Sequence, residues 1–381
     1  MVFELMRLNS AVSRAELARI AGLQKSTVSI IAEQLLKNGW IREYDRGAQS
    51  RAQDSVPGRK PVELSINESL AVIAVDVRPG RTSVAVTDFH GRIVSLESFQ
   101  TPSKSKDAER RLAKVVSTLR QQHPRLAFQG VGVSVSGRVK AEDGIVEFFP
   151  NLPWKHWELK AHLLSMLNLP VEVRNAADAI VLSERWFGVF RGVQDALVVT
   201  VSEGIGVGIL TGGRELLGAH GMAGEFGHVV LKQNGFPCGC GKLGCWETLA
   251  SERAVERSYA KLRKRSNEKE QPGGYTEILA RAEKGEVGAL KVLEEQYRQI
   301  GDGLRLVLPF EPECILFAGD FVVLWEKFGR ILSEKVANHA FPMAVPKLLT
   351  TEDATAARLR GATALILQAV YREGLRDSIR K

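Results

Sequence analysis

Between Ser13 and Gly39, apolar residues recur at helical spacing in two short runs. In the first, Leu17, Ile20 and Ala21 share one face behind Ser13, which reads as an N-cap with Glu16 three residues on to complete a capping box. Gly22 supplies a tight turn, and a second run from about Lys25 to Lys37 places Val28, Ile31, Ala32, Leu35 and Leu36 inward, with Gly39 as its stop. Two short helices around a glycine turn predict a helix-turn-helix, and "GWIREY" after them predicts the first strand of a wing. Only a dozen residues precede the capping box, so the first helix of this module is expected to be short.

From Leu70 the period changes. "LAVIAVDV", "TSVAVTD" and "IVSLESF" are β-branched runs parted by turns at Pro79-Gly80 and His90-Gly91. A helix from about Lys106 to Gln122 and the strand "QGVGVSVSG" follow. Beyond residue 170 the alternation repeats: "VEV", a helix from about Ala176 to Phe187, "DALVVTVSEGIGVGILTGG", the buried strand "CILFAG" and the long helix "ATAARLRGATALILQAVYREGL". Strand meanders and helices repeated twice predict an α/β chain of two similar lobes with a cleft between them. The charge run "RAVERSYAKLRKRSNEKEQPGG" reads as an exposed helix followed by a loop.

Charge sharpens the reading of the N-terminal module. Of the net +8, residues 1–60 hold ten Lys/Arg against six Asp/Glu, which points to a polyanionic partner. The second helix would present Gln24, Lys25, Ser26, Thr27 and Ser29 to a major groove of operator DNA. The nearly apolar-free stretch that follows ends in Gly58-Arg59-Lys60-Pro61, where Arg59 and Lys60 suit a narrow minor groove; a plain linker is the alternative. No run of about 18 apolar residues predicts a membrane span, and the N-terminus lacks a secretory pattern. A cytoplasmic protein with no membrane association is expected.

Three of the four cysteines fall between residues 238 and 245, too few and too clustered for a disulfide framework. The spacing His228-x9-Cys238-x-Cys240-x4-Cys245 supplies three thiolates and an imidazole, a closed tetrahedral shell for one structural Zn2+ per chain. A nucleic-acid finger fits poorly, because the finger spacing and basic helix are missing, and Cys314 reads as a core thiol in an apolar strand.

The winged N-terminus, "GEFGH" and "CGCGKLGCWE" together resemble the ROK family of repressors, open reading frames and sugar kinases, with "EGIGVGIL" and "FFPNLPW" in support. The resemblance spans essentially the whole chain. It implies a winged helix-turn-helix (residues 1–65) followed by a two-lobed, actin-like, ribonuclease-H-type domain. The lobes would be 66–174 and 175–353, with the C-terminal helix of 354–381 packing back on the first. It also implies a sugar pocket of Asn151, Asn175, Glu225, His228 and Glu247, with His228 shared between sugar and zinc.

The kinase parts depart from the family pattern. Where kinases carry Asn-Asp, this chain has Asn175-Ala176, and alanine cannot act as a general base; Asp178 is expected to project in another direction. Arg78 and Pro79 replace glycines of the phosphate loop after Asp76, "FAGDF" is a thinned glycine element, and Ser202-Glu203 stands where Gly-Thr is usual. The expectation is therefore a non-enzyme: a sugar-responsive regulator, a repressor acting on operator DNA as a homodimer or tetramer, with a sugar or sugar phosphate as effector. An active hexose kinase with an appended DNA-binding domain, a regulator controlled by a protein partner, and a zinc sensor are the competing readings.

Overall fold

The fold was taken from a computed structural model, which describes residues 2–9, 11–44, 62–149, 152–265, 273–339 and 344–379. The chain opens on a helix absent from the sequence expectation, α1 (Val2–Leu8), followed by β1 (Val12–Ser13), α2 (Arg14–Ala21), α3 (Lys25–Lys37), β2 (Ile41–Tyr44) and β3 (Glu63–Ile66). Val2, Phe3 and Met6 of α1 are buried, so its burial pattern is legible only once the partner surface exists. Ser13 Oγ accepts from Glu16 N at 3.2 Å, but the Glu16 carboxylate pairs with Arg19, leaving the capping box half formed. Strands β1, β3 and β2 form one antiparallel sheet, the wing, and the Gly58–Pro61 stretch lies outside the described residues.

The first lobe contains β4 (Leu70–Val77), β5 (Thr82–Asp88), β6 (Ile93–Phe99), α4 (Ser105–Gln122) and β7 (Ala127–Val135). A small sheet of β8 (Arg138–Lys140), β9 (Ile145–Phe148) and β10 (Lys155–Trp157) follows, then α5 (Leu159–Leu167) and β11 (Val171–Asn175). The second lobe has α6 (Ala176–Phe187), β12 (Ala196–Val201), β13 (Ile205–Thr211), β14 (Arg214–Glu215), α7 (Glu247–Ala250), α8 (Glu252–Arg265), α9 (Tyr275–Glu283) and α10 (Val287–Leu304). It closes with β15 (Cys314–Ala318), α11 (Trp325–His339) and β16 (Lys347–Thr350), and the chain ends in α12 (Ala354–Ile379).

The two main sheets share one topology. Their orders are β11-β7-β4-β5-β6 and β14-β13-β12-β15-β16; in each, three antiparallel strands form a meander and two more add in parallel beside the first. The helices that leave the lobes are exchanged. α6 follows the edge strand of the first sheet but buries Ile180 and Val181 with Val198, Leu210 and Leu316 of the second. α12 follows the edge of the second sheet but packs Leu359 and Ala362 on Ala74 and Ala85 of the first. Glycine permits this seating: a Cβ on Gly132 would lie 1.8 Å from Ala362 O, and one on Gly361 would lie 1.9 Å from Ala179 O.

The N-terminal module is not a free appendage. Phe3, Trp40, Leu64 and Ile66 share a single buried cluster with Leu70, Val72 and Phe89 of the first lobe and Ile366 and Leu367 of α12. The charge run at 253–265 also differs from the expectation: Ala254, Val255 and Tyr259 are fully buried, so α8 turns one face into the second-lobe core. Cys314 is a buried thiol in β15. Among the described residues, no helix is long and apolar enough to cross a membrane.

Candidate functional site

The cysteine loop is held by its own backbone and by one anchor. Val230 bridges Cys245 and Pro237 bridges Leu243, and Gly244 turns the chain at φ 75°, where a Cβ would lie 1.7 Å from Lys232 O. Trp246 is fully buried against α10, its indole N–H donating to Gln299 O at 3.0 Å. That anchor sets Cys245 inward on one side and Glu247 toward the cleft on the other.

His228 closes the loop. It ends the short turn Glu225–His228, which places Glu225 and His228 on one side, with Oε2 and Nε2 3.4 Å apart. Its other nitrogen, Nδ1, lies 3.4 Å from Cys238 Sγ, and Cys240 Sγ lies 3.7 Å from Cys245 Sγ. All four ligand atoms lie within 4.8 Å of one another. Bond lengths of about 2.3 Å to sulfur and 2.0 Å to nitrogen give a tetrahedral shell edges of roughly 3.5–3.8 Å, so the set could hold a metal ion once its side chains draw together onto it. Burial pushes the Cys238 and Cys245 thiols up, and the Glu247 carboxylate adds to both. A bound divalent cation is what would convert such thiols to thiolates.

Beside this group lies a cavity of about 390 Å3 lined by both lobes, among them Asn175, Glu203, Glu225, His228 and Glu247. Burial raises the Glu225 carboxyl, against the pull of His228 and Arg138. Glu247 accepts from Cys238 Sγ at 3.0 Å and lies 3.6 Å from His228 Nδ1. Asn175 caps α6, its Oδ1 accepting from Ala177 N at 2.8 Å while its amide donates to Gly137 O at 2.8 Å. Each of those atoms keeps one further lone pair or proton for a ligand. Asn151 lies outside the described residues; Phe149 and Trp154, on either side of it, are buried with ring centroids 4.8 Å apart.

Ala176, at the first position of α6, lines the same cavity. Asp178, two residues further along α6, also lines the cavity. Its carboxyl is pushed well above the usual carboxylate range by desolvation and by Glu215, with Arg174 opposing. At the far end, Arg78 of the first lobe pairs with Glu203 of the second at 3.3 Å, and Arg358 of α12 pairs with buried Asp76 at 2.9 Å.

On the N-terminal module, Gln24, Lys25, Ser26 and Thr27 are exposed at the start of α3 and Ser29 is half-buried; Arg59 and Lys60 lie outside the described residues. Ile30, 67 % exposed beside them, was missed by the periodicity reading; the signal was an apolar residue off the inward stripe.

Comparison with known proteins places these features in a family. The ROK family pattern matches residues 72–369. The chain is 31 % identical over 341 residues to a protein named xylose repressor from Bacillus spizizenii, covering 88 % of this chain and 85 % of the repressor. A crystal structure of a ROK family transcriptional regulator, a homologue of the Escherichia coli MLC protein, superposes with a TM-score of 0.80 at 25 % identity over 97 % of both chains. A ROK glucokinase from Streptomyces griseus, solved with glucose and AMPPNP, gives 0.69 at 27 % identity, covering 78 % of this chain and 99 % of the kinase. The fold is thus the actin-like one shared with these ROK structures, with a module N-terminal to the part the kinase covers, and this chain belongs to the ROK family.

Proposed function

We propose that this protein is a sugar-responsive transcriptional repressor that binds operator DNA through its winged helix-turn-helix and senses its effector in a cleft that does no chemistry. One observation carries the reading: carboxylates, an amide and an imidazole surround a cleft whose general-base position is Ala176, on a chain that begins with a DNA-binding type of module. Asn151, Asn175, Glu225, His228 and Glu247 would hold vicinal hydroxyls, Asn151 by family resemblance alone. A structural zinc held by His228, Cys238, Cys240 and Cys245 fits the soft donor set; it would fix the Nδ1 bond of His228 and leave Nε2 for the cleft.

The kinase alternative lacks its parts. Ala176 cannot take a proton, Pro79 has no N–H to offer phosphate, and the Arg78–Glu203 pair sets a carboxylate between the lobes, which would repel phosphate. Communication with the DNA-binding module has a physical route. α6 is capped in the cleft by Asn175 and ends about 18 Å away at Trp186 and Phe187. There Arg7 of α1 stacks over Phe187 at 4.7 Å and donates to Trp186 O. A sugar that changes the lobe angle would tilt α6 and, through Arg7 and Phe3, the module. In a homodimer this would alter the spacing of two recognition helices relative to half-sites about one DNA turn apart. Gln24, Lys25, Ser26, Thr27, Ser29 and the exposed Ile30 would read the major groove, Ile30 suiting a thymine methyl group, while Arg59 and Lys60 would reach the minor groove.

Operator affinity measured against a panel of sugars, with D-xylose first, tests the reading. A sugar should change affinity at least several-fold with no ATP consumed. Unchanged affinity across the panel, or sugar-dependent ATP turnover, would overturn it.

A further inference from the structure

Resting on the sensor reading, we infer that the effector is an uncharged, unphosphorylated monosaccharide, and that the inter-lobe ion pair Arg78–Glu203 is the element that excludes its phosphate ester. The cavity of about 390 Å3 sits near the small end of ligand pockets, room for one sugar ring and its water. Carboxylates dominate its wall. Glu203, Glu225 and Glu247 line it, and each lining arginine already stands beside a carboxylate: Arg138 Nε lies 2.9 Å from Glu147 and Arg358 Nε 2.9 Å from Asp76. Lys155 is the remaining lining cation among the described residues, and it is solvent-exposed, where water screens it.

The backbone tells the same story. A phosphate subsite needs convergent N–H donors. Here Ala177 N is capped by Asn175 Oδ1, Ser202 N donates to Gly204 O, Ser136 N to Val77 O and Gly137 N to Val135 O. Arg78 N is taken by Arg81 O, and Pro79 has no donor at all.

Glu203 decides the outcome because of where it stands. Its neighbour Gly204 approaches Glu247 so closely that a Cβ would lie 2.9 Å from Glu247 Oε2. Glu203 and Glu247 both line the cavity, so a phosphate carried on that side of a sugar held at Glu247 would come up against the Glu203 carboxylate. The guanidinium beside Glu203, Arg78, is paired with Glu203 itself and further surrounded by Glu252, Asp76 and Asp320. A neutral hydroxyl fits that environment, because carboxylates accept hydrogen bonds from it at no Coulombic cost.

The test is calorimetric titration of the full-length protein with D-xylose and D-glucose and with xylose 5-phosphate and glucose 6-phosphate, in the wild type and in Glu203→Gln. At least one neutral sugar should bind the wild type about tenfold or more tighter than its own phosphate, as like-charge juxtaposition demands. Glu203→Gln frees Arg78 and should narrow that ratio about fivefold or more by tightening the phosphate; adding Arg78→Ala should take the gain away. A phosphate that binds the wild type as tightly as the neutral sugar sinks this inference and leaves the sensor reading standing. An unchanged ratio in a Glu203→Gln protein with the wild-type melting temperature also sinks it. Failure of all four compounds to bind overturns the sensor reading, and this inference with it.

Discussion

Replacing Phe3 by alanine should loosen the N-terminal module from the sugar domain while leaving the sugar cleft intact. Phe3 is 2 % exposed, and its ring packs against Trp40, Phe89 and Tyr371 with centroids 6.1, 6.2 and 6.3 Å away. A buried Phe→Ala change costs about 3–5 kcal/mol, including roughly 0.5–1.5 kcal/mol for each ring pair. Trp40 belongs to the module itself, but Phe89 sits at the β5–β6 turn and Tyr371 on α12. With two of the three ring partners across the junction, the docking equilibrium should lose about 2 kcal/mol, roughly 30-fold. Native-state hydrogen exchange would read this directly. Amides of α1, α2 and α3 should exchange about 30-fold faster while those of β4 and β7 keep their protection. Sugar affinity should stay within about twofold, and the change in operator affinity on adding sugar should shrink, because the module no longer follows the lobes. Phe3→Leu should recover most of the protection. Unchanged protection of the module would refute the idea that Phe3 fastens it, and a parallel loss of sugar affinity would refute the separation of fastening from sensing.

Three further perturbations address other joints. With the proposed zinc at the His-Cys group, the full-length protein should carry about one zinc per chain, and Cys240→Ser should bring that toward none and weaken sugar binding about tenfold or more; metal analysis with sugar titration checks both. Gly132→Val should destabilise the protein by about 3 kcal/mol or more in urea denaturation, because its side chain would collide with Ala362 O of α12, whereas Gly80→Ala, with no atom within 4 Å, should stay within about 0.5 kcal/mol. Burial, with Glu203 next in weight and Arg78 opposing, pushes the Glu252 carboxyl from an ordinary 4.5 up to about 8. The folded form therefore holds a proton that the unfolded form releases, so this contribution is full below about pH 4.5 and is lost as the pH rises to about 8. Glu252→Gln should flatten the pH dependence of the urea midpoint between pH 5 and 8, and an unaltered slope would count against that proton.

Local sequence was sufficient wherever the determining contacts are local. The period of 3.6 placed α2 and α3, with Gly22 in the left-handed conformation at the turn between them. The β-branched runs placed β4, β5 and β6, and the four residues that could hold a metal ion lie together within residues 228–245.

What failed to show in the sequence depends on partners far along the chain. α1 is an ordinary apolar heptamer until Phe89 and Tyr371 receive Phe3. The pressure on Asp178, whose carboxyl burial and Glu215 push upward, comes from parts of the chain its own helix does not reveal. The Arg78–Glu203 pair joins residues 125 positions apart, and the α12–β4 pair Arg358–Asp76 joins residues 282 apart. The exchange of α6 and α12 between lobes follows the same rule, since Gly132 and Gly361 are meaningful only against the carbonyls they meet. Periodicity, capping and ligand spacing are encoded within a few turns of chain, so the sequence alone determined the module, the strands and the metal loop. Burial, charge pairing and close backbone approach are properties of surfaces that do not exist until the lobes assemble, and tertiary structure alone decided how the cleft is charged and how it is tied to the DNA-binding module.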